Sequence, residues 1–138
     1  MTAAKKSPAK KTNSSSRGPI TIIPRLVMRR GREAGALKLI DAVRKEARAS
    51  QPGTLVYLVH RVIDGKGDRT LCFYERYRNQ AALNLHLGSA SWKKVVEQWT
   101  EYFEGASPKS VQMLSLNRIA AFARKGAIAL APSRRRAS

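Results

Sequence analysis

The stretch AALNLHLGSASW, residues 81–92, sets one histidine, His86, in what its spacing predicts to be a short apolar helix ending at Gly88. An imidazole has an unperturbed pKa of about 6.5, so it is the side chain best suited to take up and return a proton near neutral pH. The chain has one other histidine, His60, and a single cysteine, Cys72. One thiol closes no intramolecular disulfide, and no cysteines and histidines fall at zinc-ligand spacing, so the reading is of a protein without a metal site. Cys72 has no activating neighbour in sequence and reads as an inert core thiol. The GKG of DGKGD, residues 64–68, lacks the spacing of a phosphate loop. What remains is proton transfer or hydrogen bonding by His86 to an organic ligand. The competing reading makes His86 a packed core residue with one nitrogen satisfied.

Aromatic residues accompany it. Tyr57, Tyr74, Trp92, Trp99 and Phe103 can line a pocket for a planar ligand, and at strand and helix spacing they serve equally as core. Asn117 and Arg118, in a final segment otherwise apolar, can hold substrate oxygens or mark a subunit rim. His60 and Arg61 straddle both faces of one strand. Glu75 stands beside Arg76, and a buried carboxylate is costly when unpaired, so it is expected to be structural and paired to a cation.

The elements that must position these side chains follow from periodicity. ITIIPRLVM, residues 20–28, reads as a strand followed by an RRGRE turn, with Pro24 requiring a sheet edge or a local break. Ala36, Ile40, Val43 and Ala47 recur three and four apart, which predicts an amphipathic helix over 33–50 that Gln51-Pro52-Gly53 stops. TLVYLVHRVI and TLCFYERY, residues 54–63 and 70–77, are strands joined by DGKGD; the second splits into Leu71, Phe73, Glu75 and Tyr77 on one face and Cys72, Tyr74 and Arg76 on the other. Asn79 caps the helix carrying Leu83, His86 and Leu87. A further helix starts at Ser89 or Ser91 and runs Trp92, Val95, Val96, Trp99 and Phe103 along one stripe, and residues 111–122 form the last strand. This β-α-β-β-α-β order defines an α+β, ferredoxin-like split fold, an antiparallel sheet with helices on one face. Both faces of the strands are apolar, so the uncovered face predicts a homodimer packed sheet on sheet.

Composition fits one domain: 138 residues with 43% hydrophobic content bury a core unaided. The net charge of +18 is uneven, since residues 1–17 hold five Lys/Arg and 125–138 hold four, with no acid in either. Between them, over 18–124, lie 18 basic and nine acidic residues. The predicted organisation is a disordered basic arm over 1–17, a domain over 18–124 and a disordered basic tail over 125–138. Weak non-specific nucleic-acid contact is the functional alternative for these tails. No segment approaches the roughly 18 apolar residues of a membrane span or the apolar run of a secretory signal, so the expectation is a cytoplasmic protein.

Placed in this order, several motifs become recognisable. Pro52-Gly53, Tyr57, Glu75-Arg76-Tyr77 and Ala82-Leu83-Asn84-Leu85-His86-Leu87, with the opening strand and Gly31, resemble the antibiotic biosynthesis monooxygenase family over most of residues 20–120. The resemblance implies a dimeric α+β barrel. It also implies one of several activities: cofactor-free oxygenation of a quinol-like or polycyclic phenolic compound with molecular oxygen as co-substrate, haem degradation, isomerisation, or binding alone. In the oxygenase reading His86 is catalytic, and Tyr57, Tyr74, Trp92, Trp99 and Asn117 bind substrate. Haem is disfavoured, because the iron-ligand position of the haem-degrading branch falls on Val96 and its first-strand asparagine on Pro24. Many quinol-oxidising relatives carry a second histidine after His86-Leu87, where this chain reads Gly88-Ser89-Ala90-Ser91. A non-catalytic small-molecule-binding barrel therefore stands as the alternative, with a barrel tethered to nucleic acid by its arms as a third reading.

Overall fold

The computed structural model describes residues 18–65 and 68–128. The arm expected over 1–17 lies outside them, as does the expected tail from residue 129 onwards. The elements are β1 (Ile20–Val27), α1 (Glu33–Ser50), β2 (Thr54–Arg61), β3 (Thr70–Tyr77), α2 (Gln80–Leu87), α3 (Ala90–Glu97), α4 (Trp99–Tyr102), a 3-10 turn at Pro108–Ser110, and β4 (Gln112–Leu116). The strands form one sheet in the order β2-β3-β1-β4, with every neighbouring pair antiparallel. This is the ferredoxin-like arrangement that periodicity predicts, with the helices on one face.

The core lies between sheet and helices. Ala36, Ile40, Val43 and Ala47 are the buried residues of α1, the same stripe that the spacing picks out. Ile40 and Val43 pack with Leu26, Phe73, Val95 and Trp99. Along β3 burial alternates, with Leu71, Phe73, Glu75 and Tyr77 inside and the intervening residues partly exposed. Asn79 Oδ1 accepts the Ala82 N–H at 2.9 Å, and Ser89 Oγ accepts the Trp92 N–H at 3.3 Å, so α2 and α3 each carry a side-chain N-cap. The Pro-Gly step before β2 has a steric basis: a Cβ on Gly53 would stand 2.6 Å from the Ala82 Cβ. A side chain there would push α2, and His86 with it, away from the sheet.

Several details depart from the periodicity. Pro24 lies in β1, an interior strand, and it is accommodated by a local break: the paired positions of β1 and β3 run to Ile22 and resume at Arg25. The helix expected to run on to Phe103 breaks at Gln98. Phe103 is extended and bridges Met28, while the Glu104 N–H donates to the Val27 carbonyl. Pairing to the end of β1 wins over helix continuation. β2 ends at Arg61, short of the predicted Ile63, and the last strand is β4, far shorter than 111–122. Its pairing ends at Thr21↔Leu116, beside the first residue of β1, and beyond that point it has no neighbouring strand to pair with. Residues 117–128 are exposed, Ile119 and Phe122 at 96% and 79%. Cys72 is only half-buried, on the helix-free face with Tyr74 and Arg76, and is not the core thiol expected.

Candidate functional site

A cavity of about 690 Å³ opens between the sheet and the helices α2 and α3. Its floor follows from strand register. Tyr57, Glu75, Ile22 and Ser115 stand opposite one another across all four strands, and Phe73 of β3 and the pair Pro24 and Met113 continue the floor along the strands. Leu83, His86 and Leu87 of α2, Trp92 and Val96 of α3, and Trp99 of α4 form the roof, and Ser107, Pro108 and Lys109 form one wall.

His86 is 2% exposed. Its Nδ1 lies 2.8 Å from Gln51 Oε1, which also accepts the Thr54 hydroxyl at 3.3 Å. An amide oxygen that accepts from Thr54 accepts from His86 too, so Nδ1 carries the proton and Nε2 is left as an acceptor. The imidazole is framed by Tyr57, Tyr77 and Trp92, with ring centroids at 5.6, 5.3 and 6.4 Å. Burial pushes its pKa down to about 4, against a smaller opposing pull from the Glu46 carboxylate. His86 is therefore neutral at pH 7.

Glu75 is the second polar group, and sequence reading treats it differently. It is 7% exposed, it lines the cavity, and no cation pairs with it in any described ion pair. Its partner is Tyr77, whose hydroxyl donates to Oε1 at 2.5 Å. The expected cation is missing for a simple reason: Arg76, next along the strand, points to the opposite face and donates to Thr21 Oγ1 at 2.7 Å. Burial raises the Glu75 pKa to about 7, more than the Tyr77 hydrogen bond lowers it. Burial and the nearby Glu75 charge also raise the phenol pKa values of Tyr57 and Tyr77 well above their usual range, so both stay protonated.

Tyr57, Trp92, Trp99 and His86 thus meet at one cavity. Trp99 also serves as core, stacked on Phe103 at 4.7 Å with its indole N–H donating to the Glu104 carbonyl at 3.3 Å. Tyr74 and Asn117 are not brought there. Tyr74 lies on the helix-free face, where its hydroxyl accepts from Arg118 at 2.6 Å, and Asn117 is exposed one residue past β4. His60 and Arg61 are exposed at the end of β2. Sequence reading misses Gln51, Glu75 and Lys109 as site residues. For Glu75 a signal is present, a carboxylate in phase with Leu71, Phe73 and Tyr77.

The geometry meets its relatives here. The profile of the antibiotic biosynthesis monooxygenase family matches residues 19–98, more than half of the chain, which therefore belongs to that family. Among solved structures, a candidate antibiotic biosynthesis monooxygenase from Caulobacter crescentus CB15 superposes with a TM-score of 0.65 at 21% identity, covering 80% of this chain and 99% of that one. Rv0793 from Mycobacterium tuberculosis gives 0.63 at 24% identity, over 77% and 100% of the two chains. PA3566 from Pseudomonas aeruginosa gives 0.63 at 21%, over 75% and 96%. At these identities the likeness establishes the fold. No curated protein matches the chain. Among the described residues, no helix is long and apolar enough to cross a membrane.

Proposed function

We propose that the protein is a cofactor-independent oxygenase acting on a quinol-like or polycyclic phenolic small molecule, with Glu75 as the base and His86 as a neutral hydrogen-bond acceptor. The observation that carries this reading is the cavity itself, an aromatic and aliphatic slot with a carboxyl of pKa about 7 in its floor and a neutral imidazole in its roof. A base works best when its pKa is near the working pH, which suits Glu75 and not an imidazole titrating near 4. Sequence reading puts the proton on His86; the proposal moves it to the floor of the same site.

For an anthrone-type methylene the steps balance without an added reductant. Glu75 takes the acidic proton, and the resulting anion passes one electron to molecular oxygen. The substrate radical and superoxide join through a new C–O bond, and loss of water leaves a carbonyl. One oxygen atom stays in the product, and the other leaves as water with the two hydrogens of the methylene. The protein positions the flat anion and keeps water from it. Pro24 and Val96, where the resemblance places haem-handling residues, line this cavity and offer no donor.

The test is oxygen uptake with a panel of hydroquinones and anthrones. Turnover above the spontaneous rate is expected for at least one of them, with a drop of about three- to tenfold in His86→Ala, the scale of one hydrogen bond between neutral groups. If no compound is oxidised faster than in buffer, the oxygenase reading fails. A ligand that raises the melting temperature yet is recovered unchanged then identifies a binding protein, the alternative that the absent second histidine favours.

The functional unit in this proposal is a homodimer joined through the helix-free sheet face. Leu114 and Leu116 are exposed in β4, and Ile119 and Phe122 follow them, more apolar surface than a lone chain comfortably leaves in water. Sedimentation equilibrium at micromolar concentration is expected to give twice the 15.3-kDa chain mass; a monomer throughout that range contradicts it.

A further inference from the structure

We infer that Lys109 makes the cavity selective for planar phenols that carry an anionic group at the end remote from the group that Glu75 deprotonates, a carboxylate above all. The inference rests on the proposed reading of the cavity as a site for a flat phenol, and it adds the second recognition element. The titratable side chains lining the cavity are Tyr57, Glu75, His86 and Lys109. The first three cluster: Tyr57 stands opposite Glu75 in the strand register, and its ring lies 5.6 Å from that of His86.

Lys109 lies at the other end. It belongs to the 3-10 turn that leads through Val111 into β4, and Gln112 stands opposite Arg25. Arg25 is three residues along β1 from Ile22, the residue opposite Glu75, so the start of β4, which Lys109 precedes, lies on the order of 10 Å along the sheet from the level of Glu75 at the usual strand rise. That is the scale of a fused two- or three-ring system, not of a single ring. Lys109 is exposed and takes part in none of the four described ion pairs, so its ammonium is free to meet a ligand charge. Placed the other way round, such a ligand would bring its carboxylate against the Glu75 carboxyl, and like charges there disfavour the pose. The pocket therefore sets orientation as well as class.

The experiment titrates the full-length protein with 4,5-dihydroxyanthraquinone-2-carboxylate and with its uncharged primary carboxamide, following quenching of tryptophan fluorescence at low salt and pH 7. The wild type is expected to bind the carboxylate about fivefold more tightly, the scale of one solvent-exposed ion pair. That preference should vanish in Lys109→Gln, reverse in Lys109→Glu, and persist in Lys93→Gln, which removes an exposed α3 lysine outside the cavity lining. An unchanged preference in Lys109→Gln overturns the inference and leaves the aromatic site standing, since the overall positive charge would then account for it. Tight but equal binding of both compounds to the wild type overturns it too. Failure of both compounds to bind overturns the reading of the cavity as an aromatic site as well.

Discussion

Glu75→Gln is expected to lower kcat on an anthrone-type substrate by about 10²–10⁴-fold, the usual contribution of a positioned base. The amide oxygen keeps an acceptor for the Tyr77 hydroxyl while it removes the proton acceptor. The same variant should be more stable than wild type above neutral pH. In the folded protein the Glu75 pKa is raised from 4.5 to about 7, so the native state favours the protonated acid. Its contribution to stability is complete below pH 4.5 and is lost as pH rises through 7, where ionisation opposes folding by up to about 3 kcal/mol. Urea unfolding at pH 4.5 and pH 8 reads this directly. Glu75→Gln should match wild type at the lower pH and exceed it at the higher. A variant that loses stability specifically at pH 8 would show that the native site stabilises the Glu75 anion, and the base assignment would fall with it.

The largest loss of stability should come from Trp99→Ala, about 3–5 kcal/mol, as for large aromatic truncations in packed cores. Trp99 is 2% exposed, stacks on Phe103, and donates its indole N–H to the Glu104 carbonyl. Truncation removes all three contributions and merges the space left with the existing cavity. Trp99→Phe keeps most of the ring packing and should cost much less. Denaturant midpoints measure both, and a loss below about 1 kcal/mol in Trp99→Ala would contradict the packing of Trp99 in the cavity roof.

Much of the scaffold was legible because it depends on local spacing. The four buried positions of α1, the alternation of β3, the cap at Asn79 and the choice of Ser89 or Ser91 as the next helix start, of which Ser89 is the cap, are all patterns within a few residues. His86 could be set on one helix with Leu83 and Leu87 for the same reason. What escaped depends on distant contacts. The break at Gln98 exists because Phe103 pairs with Met28, 75 residues earlier, and β4 stops where β1 begins. Gln51 holds His86 across 35 residues of sequence, a contact no spacing rule reports. Glu75 is the instructive case. Strand alternation already placed it on one face with Leu71, Phe73 and Tyr77, yet its neighbour in sequence suggested a salt bridge that the same alternation forbids. Only the cavity and the Tyr77 hydroxyl show what that carboxyl faces.

The central claim, that Glu75 and not His86 takes the proton, is tested most directly by the pH dependence of kcat/KM on a substrate that does not titrate between pH 4 and 9. With Glu75 as the base, the profile shows an acid limb of unit slope with an apparent pKa near 7, absent from the residual rate of Glu75→Gln and retained in His86→Ala. A limb near pH 4 that disappears in His86→Ala would return the proton to the imidazole and contradict the account.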